Sequence, residues 1–401
     1  MTLAARSGRI GLILALLIVG PARAGESARV ILRGGDRDLG ETPVLVELDS
    51  PIPPGDYALA PSAAGSSSPA NVFADAGKSY LALIPGQVVK DRATTYTLRR
   101  ESKPETGVEL ARDGANVRMT VEGRPFTVYR TDLGPKPILY PLIGPTGAKM
   151  TRDYPMEKVA GEDQDHPHQR SCWFTHGKVN GVDFWSETPG HGSIKETAKL
   201  TVASGAAVGV LRTTDDWLGP DGKKVCEDER VLRIYNTRAT RVFDYEVTLK
   251  ATAGPVTLGD TKEGTFGVRV ASSMDANRKP GGTITNAEGL TDLAAWGKPS
   301  PWVDYVGPVA GEPGGVAILD HPASFRHPTT WHVRDYGLFA ANPFGLRDFG
   351  RQESGDHTIP AGGSITFRYR VLLHAGDTAA ADIPRAFRAF ATPPMVEVRG
   401  D

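Results

Sequence analysis

The sequence predicts a mainly β protein, a small β domain followed by a large antiparallel β-sandwich. Three observations carry that prediction. Apolar and polar residues alternate with a period of two along much of the chain, the mark of strands with one buried face. Glycine and proline, 46 and 31 of the 401 residues, punctuate these runs at short intervals, as hairpin-connected sheets require. Only one stretch, close to the C-terminus, reads as a helix. With 40 % hydrophobic and 23 % charged residues, the chain has the composition of a globular protein.

The first residues read as an address. Arg6 and Arg9 precede the apolar run 10–19, which is about half the length needed to cross a bilayer. Ala22 and Ala24 then give the small-residue pattern of a signal-peptidase site before Gly25. Residues 1–24 are therefore expected to be a signal peptide, with an uncleaved anchor as the other reading of the same run. This places the protein in the periplasm or outside the cell, and no later segment is apolar enough to span a membrane. Export makes a disulfide between Cys172 and Cys226 possible. Two separate buried thiols are the alternative, and neither cysteine sits in a C-x-x-C pair.

Residues 25–103 read as a small accessory β domain. Val30-Ile31-Leu32, Val44-Leu45-Val46, Tyr80-Leu81-Ala82-Leu83 and Tyr96-Thr97-Leu98 are its strands, and the Ala, Ser, Pro and Gly stretch 60–70 is a loop. The unit contains no Trp and no His. Residues 104–401 form the sandwich that carries the site. Val117, Met119 and Val121 alternate with polar partners, as do Phe243, Tyr245, Val247 and Leu249, and Ile365, Phe367, Tyr369 and Val371. The helix runs over about 382–391, with Pro384 suited to its first turn.

Charge excludes one class of partner. The 46 basic and 47 acidic side chains leave a formal net charge of −1 without a basic run, and nucleic acid demands clustered Lys and Arg. Dinucleotide, P-loop and nucleophile-elbow glycine patterns are also missing from the sequence.

The chemistry concentrates in one region. All six tryptophans and seven of the nine histidines fall between His166 and His332. Indole and imidazole crowded together suit a site that stacks a sugar-like ligand and moves protons. Aromatics filling a large core is the plainer reading of any single Trp.

Three segments hold the candidates. In the first, His166 and His168 are two apart, so extended backbone would point both imidazoles one way. His176, eight residues on, could join them, with Asp163, Asp165 and Glu187 flanking. Such a trio could hold a single divalent transition metal, act in acid–base catalysis without metal, or be ordinary surface histidine. Arg170, Trp173, Asn180, Asp183 and Trp185 accompany it as substrate-binding candidates. In the second, Lys262 and Glu263 precede Gly264 at the entrance to a strand with Phe266, Val268 and Val270 on one face and Arg269 on the other. Glu263 suits a general acid or base, or a solvated turn. The third supplies Trp331, His332, Arg334, Tyr336 and Asn342. Arg326 and Arg334 could clamp a carboxylate or bracket vicinal hydroxyls.

The runs beginning at Tyr140, Asp165, Phe174, Lys262 and Tyr336 together resemble the secreted bacterial family labelled "methane oxygenase PmoA", from about Thr106 to the C-terminus. The family commonly reads His-Pro-His-His-Arg-Gly, where this chain has Gln169 and Ser171 in place of the last His and the Gly. A membrane methane monooxygenase subunit needs several long apolar helices, and this chain offers none beyond the first run. The β pattern of the family is similar to the galactose-mutarotase-like supersandwich, in which His and Glu or Asp act on sugars.

The resulting expectation is a secreted carbohydrate-active enzyme with its site on one concave sandwich face. His166, His168, His176, Glu263 and His332 would do acid–base chemistry on a sugar or glycoside. Arg170, Arg334, Lys262 and the tryptophans would position hydroxyls. A mononuclear metal-dependent lyase or oxygenase built on His166, His168 and His176, and a non-catalytic glycan-binding protein, are the alternatives.

Overall fold

Alternation becomes sheet through most of the chain in the computed structural model, which describes residues 27–400 except 36, 37, 39, 50, 51, 63, 64, 87 and 102–106. The expected signal peptide lies outside the described residues. Two eight-stranded antiparallel sheets face each other across a core that includes Met119, Phe174, Phe243, Phe266, Trp331, Phe367 and Tyr369. The fold is thus mainly β with antiparallel sheets, as the alternation requires.

The two faces of each strand have different fates. In Phe243, Tyr245, Val247 and Leu249 every second side chain of Arg241–Lys250 is buried, while Asp244, Glu246 and Thr248 are only partly covered. The same pattern runs through Asn116–Val121, where Val117, Met119 and Val121 are buried. The helix occupies Ile383–Ala391. Asp382 caps it by accepting from Arg385 N, and Pro384 sits in the first turn, where a missing N–H costs nothing.

A third layer is the seven-stranded sheet built mostly from residues before 101. Its own core includes Val30, Leu32, Leu59, Val72, Leu81 and Leu98. Its opposite face, with Phe73, Ala82 and Ile84, packs against Val208, Val210, Tyr235 and Leu372 of the second large sheet. Asn71 fastens this contact, since its side-chain oxygen accepts from Ala207 N at 3.0 Å and Val208 N at 2.9 Å.

Two details differ from the sequence reading. Gly55–Pro61 and Ser68–Asp75 are strands, so the loop expected over 60–70 is shorter than drawn. Ala70 and Val72 are buried, and burial of this face outweighs the loop-like composition around it. The last strand, Met395–Gly400, was grouped with the sandwich but pairs antiparallel with Ser27–Arg33 and completes the small sheet.

Candidate functional site

The site is built on the first large sheet, at the end where Trp331–Val333, Leu338–Ala341, Gly264–Arg269 and Cys172–His176 lie side by side. Alternation sorts their side chains. Trp331, Val333, Phe339, Phe266, Val268 and Phe174 point into the core between the sheets. The residues between them, His332, Ala340, Gly267, Arg269 and Trp173, therefore belong to the opposite face. There Trp173, Ala340, Leu338, Trp185, Ile138 and Tyr140 form a second apolar cluster, and the site lies over it.

A cavity of about 410 Å³ opens here, within the roughly 300–1,000 Å³ range of small-molecule sites. It is lined by His166, His168, Lys262, Glu263, His332 and Arg334, all anticipated in the sequence, together with Tyr336. Gln169, Ser186, Leu293 and Asp335 complete the lining. Gln169 stands where the motif of the resembled family has its last His, whereas Ser186, Leu293 and Asp335 carry no pattern that marks them in a single sequence.

Among the cavity histidines, His166 is the one backed by a carboxylate. Its Nδ1 lies 2.7 Å from Asp165 Oδ2, and because an ionised carboxylate only accepts, Nδ1 carries the proton. Burial by itself would raise Asp165, but Arg269, His166 and Arg152 outweigh it and hold the carboxyl below its usual range. Arg269 Nη2 is 3.0 Å from Asp165 Oδ1, and Arg152 Nη1 bonds the same oxygen. The imidazole also stacks on Tyr336, with centroids 4.8 Å apart and planes 9° from parallel. Tyr336 in turn covers Arg269, whose guanidinium carbon is 4.8 Å from the ring centroid. Among the described residues no group hydrogen-bonds His166 Nε2, and His166 lines the cavity.

The other two cavity histidines are neutral near pH 7. Burial, with Lys136 and His166 adding to it, pushes His168 down to about 4. Burial and the adjacent Arg334 push His332 down to about 3. His332 Nδ1 donates to the Lys262 carbonyl at 2.8 Å, so its Nε2 accepts from Arg334 Nε at 3.2 Å. Both ring nitrogens are occupied, so neither is open to a ligand. Glu263 also lines the cavity, and its Oε1 is 3.3 Å from Lys262 Nζ.

Several expected site residues lie elsewhere, each for a definite reason. His176 falls on the core side of its strand, where its Nε2 donates to Gly259 O at 2.8 Å and its ring packs on Phe344. His166 and His168 do not stand in extended backbone either. A turn closed by Gln169 N and His166 O at 3.0 Å sets their rings edge to face, 5.8 Å apart. The three-histidine metal set is therefore not assembled, and among the described residues no group of three His, Cys, Asp or Glu converges as a ligand set.

Trp173 and Trp185 are fully buried beneath the cavity, and Trp331 is in the inter-sheet core with its Nε1 donating to Ser300 O. None offers a ring face to a ligand. Arg170 is committed to Glu187 through Nε and Nη2, at 3.0 and 2.7 Å. Asp183 accepts from Trp185 N and Ser186 N, and Asn180 accepts from Thr257 N. Asn342 donates to Thr261 O, which steadies the turn before Lys262. Arg326 is spent on the carbonyls of Pro343, Gly355 and Asp356. Cys172 and Cys226 are both buried free thiols, not a disulfide.

Fold and site together define a β-sandwich protein with a titratable cavity on an outer sheet face. The chain belongs to the family of unknown function DUF6807, whose model matches residues 116–388, from a strand of the first large sheet into the C-terminal helix. That description assigns no activity, so the oxygenase label attached to the resemblance gains nothing from it. Among curated protein sequences none matches. Among solved structures, a protein in glycosyl hydrolase family 38 from Enterococcus faecalis is similar at 10 % identity with a TM-score of 0.38. The match covers 93 % of this chain and 47 % of that one. An alpha-mannosidase from Enterococcus faecalis V583 is similar at 9 % identity and a TM-score of 0.37, with 93 % and 46 % covered. This chain spans about half the length of either, and neither likeness bears on the reaction.

Proposed function

We propose that the protein is an exported carbohydrate-active enzyme that performs general acid–base chemistry on a sugar or glycoside. The observation that carries this reading is the Asp165–His166 pair at the cavity, with Nδ1 bonded to the carboxylate and Nε2 open. A carboxylate behind an imidazole fixes the tautomer and stabilises the imidazolium that forms when Nε2 takes a proton. His166 is thus the base, and once protonated the acid that returns the proton to a ring, anomeric or leaving-group oxygen. Glu263 is the opposing carboxylate, able to exchange a proton at a second oxygen of the same substrate.

The lining supports a polyhydroxylated ligand. Lys262, Arg334 and Gln169 offer donors, while Glu263, Asp335 and the neutral His168 offer acceptors. Sugar hydroxyls can satisfy both kinds at once. Mutarotation, isomerisation, elimination and hydrolysis all use such an acid–base pair.

The test is turnover on a panel of sugars and glycosides by the wild-type chain and by Asp165→Asn. The variant keeps the shape but no longer fixes the tautomer or stabilises the imidazolium, so kcat should fall by about 10²- to 10⁴-fold with KM little changed. Unaltered kcat would remove Asp165 and His166 from the chemistry.

A further inference from the structure

We infer that the sugar bound here carries a carboxylate, as uronic acids do, and that this carboxylate docks end-on against Arg334. The inference rests on the carbohydrate reading of the cavity and adds the substrate class.

Four other arginines lie in or close to the walls of this region, and each already has an acid. Arg152 and Arg269 hold Asp165, Arg170 holds Glu187, and Arg278 holds Asp163. Arg334 also lines the cavity, yet no carboxylate of the described residues lies within ion-pair distance of it. Its protein contacts orient it without neutralising it. Nε donates to the neutral His332 at 3.2 Å, and the guanidinium sits over the Trp296 ring, 5.5 Å from its centroid. Both terminal nitrogens are left over.

Geometry selects the ligand group. With Nε taken, the remaining edge of the fork is the Nη1/Nη2 pair, which matches the two oxygens of a carboxylate in parallel hydrogen bonds. A partly buried guanidinium without a counter-ion is costly to keep, and an acidic substituent removes that cost on binding. Lys262 does not compete for the role because Glu263 already neutralises it. Asp335 also lines the cavity, so a carboxylate must dock on the Arg334 side of it.

The test is calorimetric binding of glucuronate and galacturonate, and of disaccharides containing them, against glucose, galactose and the uronate methyl esters. Wild type should prefer the acids by about tenfold or more, with the preference shrinking as salt rises. Arg334→Gln should erase the preference, and Arg334→Lys, which keeps the charge but loses the fork, should retain only part of it. Equal binding of acids and neutral sugars, or a preference that survives Arg334→Gln, overturns the inference and leaves the carbohydrate reading intact. If no sugar of either kind binds, both fall together.

Discussion

At the scale of single residues, the site's chemistry is a matter of which imidazoles can hold a proton. His168, His176 and His332 have their proton affinity lowered by burial, to about 4, 4 and 3. Unfolded, each would protonate near the ordinary value of 6.5. The unfolded chain therefore takes up protons between pH 6.5 and 4 that the folded chain refuses, so stability falls as pH drops through that window. His374 runs the other way, because Asp304, bonded to its Nε2 at 3.0 Å, outweighs burial and raises it. Its contribution is present below pH 6.5 and is lost as pH rises past its folded value. His321 and His357 are lowered by burial as well, so among the histidines five groups against one favour a loss on acidification, which the burial-raised carboxyls of Asp215, Asp275 and Asp320 oppose. Denaturant titrations of wild type and His176→Gln at pH 7, 5.5 and 4.5 isolate one of these groups: the variant should lose less stability on acidification than wild type, and an identical pH dependence contradicts the assignment. The residue types of the site were legible in sequence, since imidazole, carboxylate and guanidinium cluster visibly between His166 and Arg334. Their individual roles were not. His176 and His332 look alike in sequence, and only the face of the strand on which each falls separates a core histidine from a cavity one.

At the scale of the strand, alternation does the sorting, and the glycines show where backbone and ring must meet. Gly267 belongs to the site-bearing face, and a Cβ there would lie 2.8 Å from Trp173 Cζ2. Gly267→Val should cost about 1–3 kcal/mol through overpacking and tilt the Trp173–Trp185 bed under the cavity, whose centroids are 5.2 Å apart. Thermal unfolding and near-ultraviolet circular dichroism of the variant would read both effects; wild-type stability with an unchanged aromatic spectrum contradicts this packing. The strand with Phe266, Val268 and Val270 inward and Arg269 outward was legible because its apolar residues are large and strictly alternate. Gly55–Pro61 and Ser68–Asp75 were harder to see. Their buried positions are filled partly by Ala70 and Leu59 among Pro, Ser and Gly, so the pattern of two is faint. The turn at His166–Gln169 was also hidden, since Pro167 fits a rim loop as well as an edge strand.

At the scale of the whole molecule, three sheets stack, and the site lies on the outer face of the sheet farthest from the small one. The small sheet is tied in at its edge by the C-terminus. Val396 and Val398 of Met395–Gly400 pack on its core, and the strand covers the edge of Ser27–Arg33. Removing residues 395–401 should expose that edge as a pairing template. The truncated chain should lose stability and gain a tendency to associate, measured by thermal unfolding and light scattering. A monomeric truncation with unchanged melting contradicts the closure. This long-range pairing was not legible in sequence, because Val396 and Val398 alternate as any strand's residues do and nothing local names their partner.

The central claim is that His166, held by Asp165, moves the proton at a sugar in this cavity. The most direct measurement is parallel turnover by wild type and His166→Asn on one sugar panel, with folding of both verified by circular dichroism. The account predicts turnover of at least one sugar by wild type and a loss of about 10²-fold or more in the folded variant. Equal turnover by the two proteins, or none by the wild type on any sugar or glycoside, contradicts it.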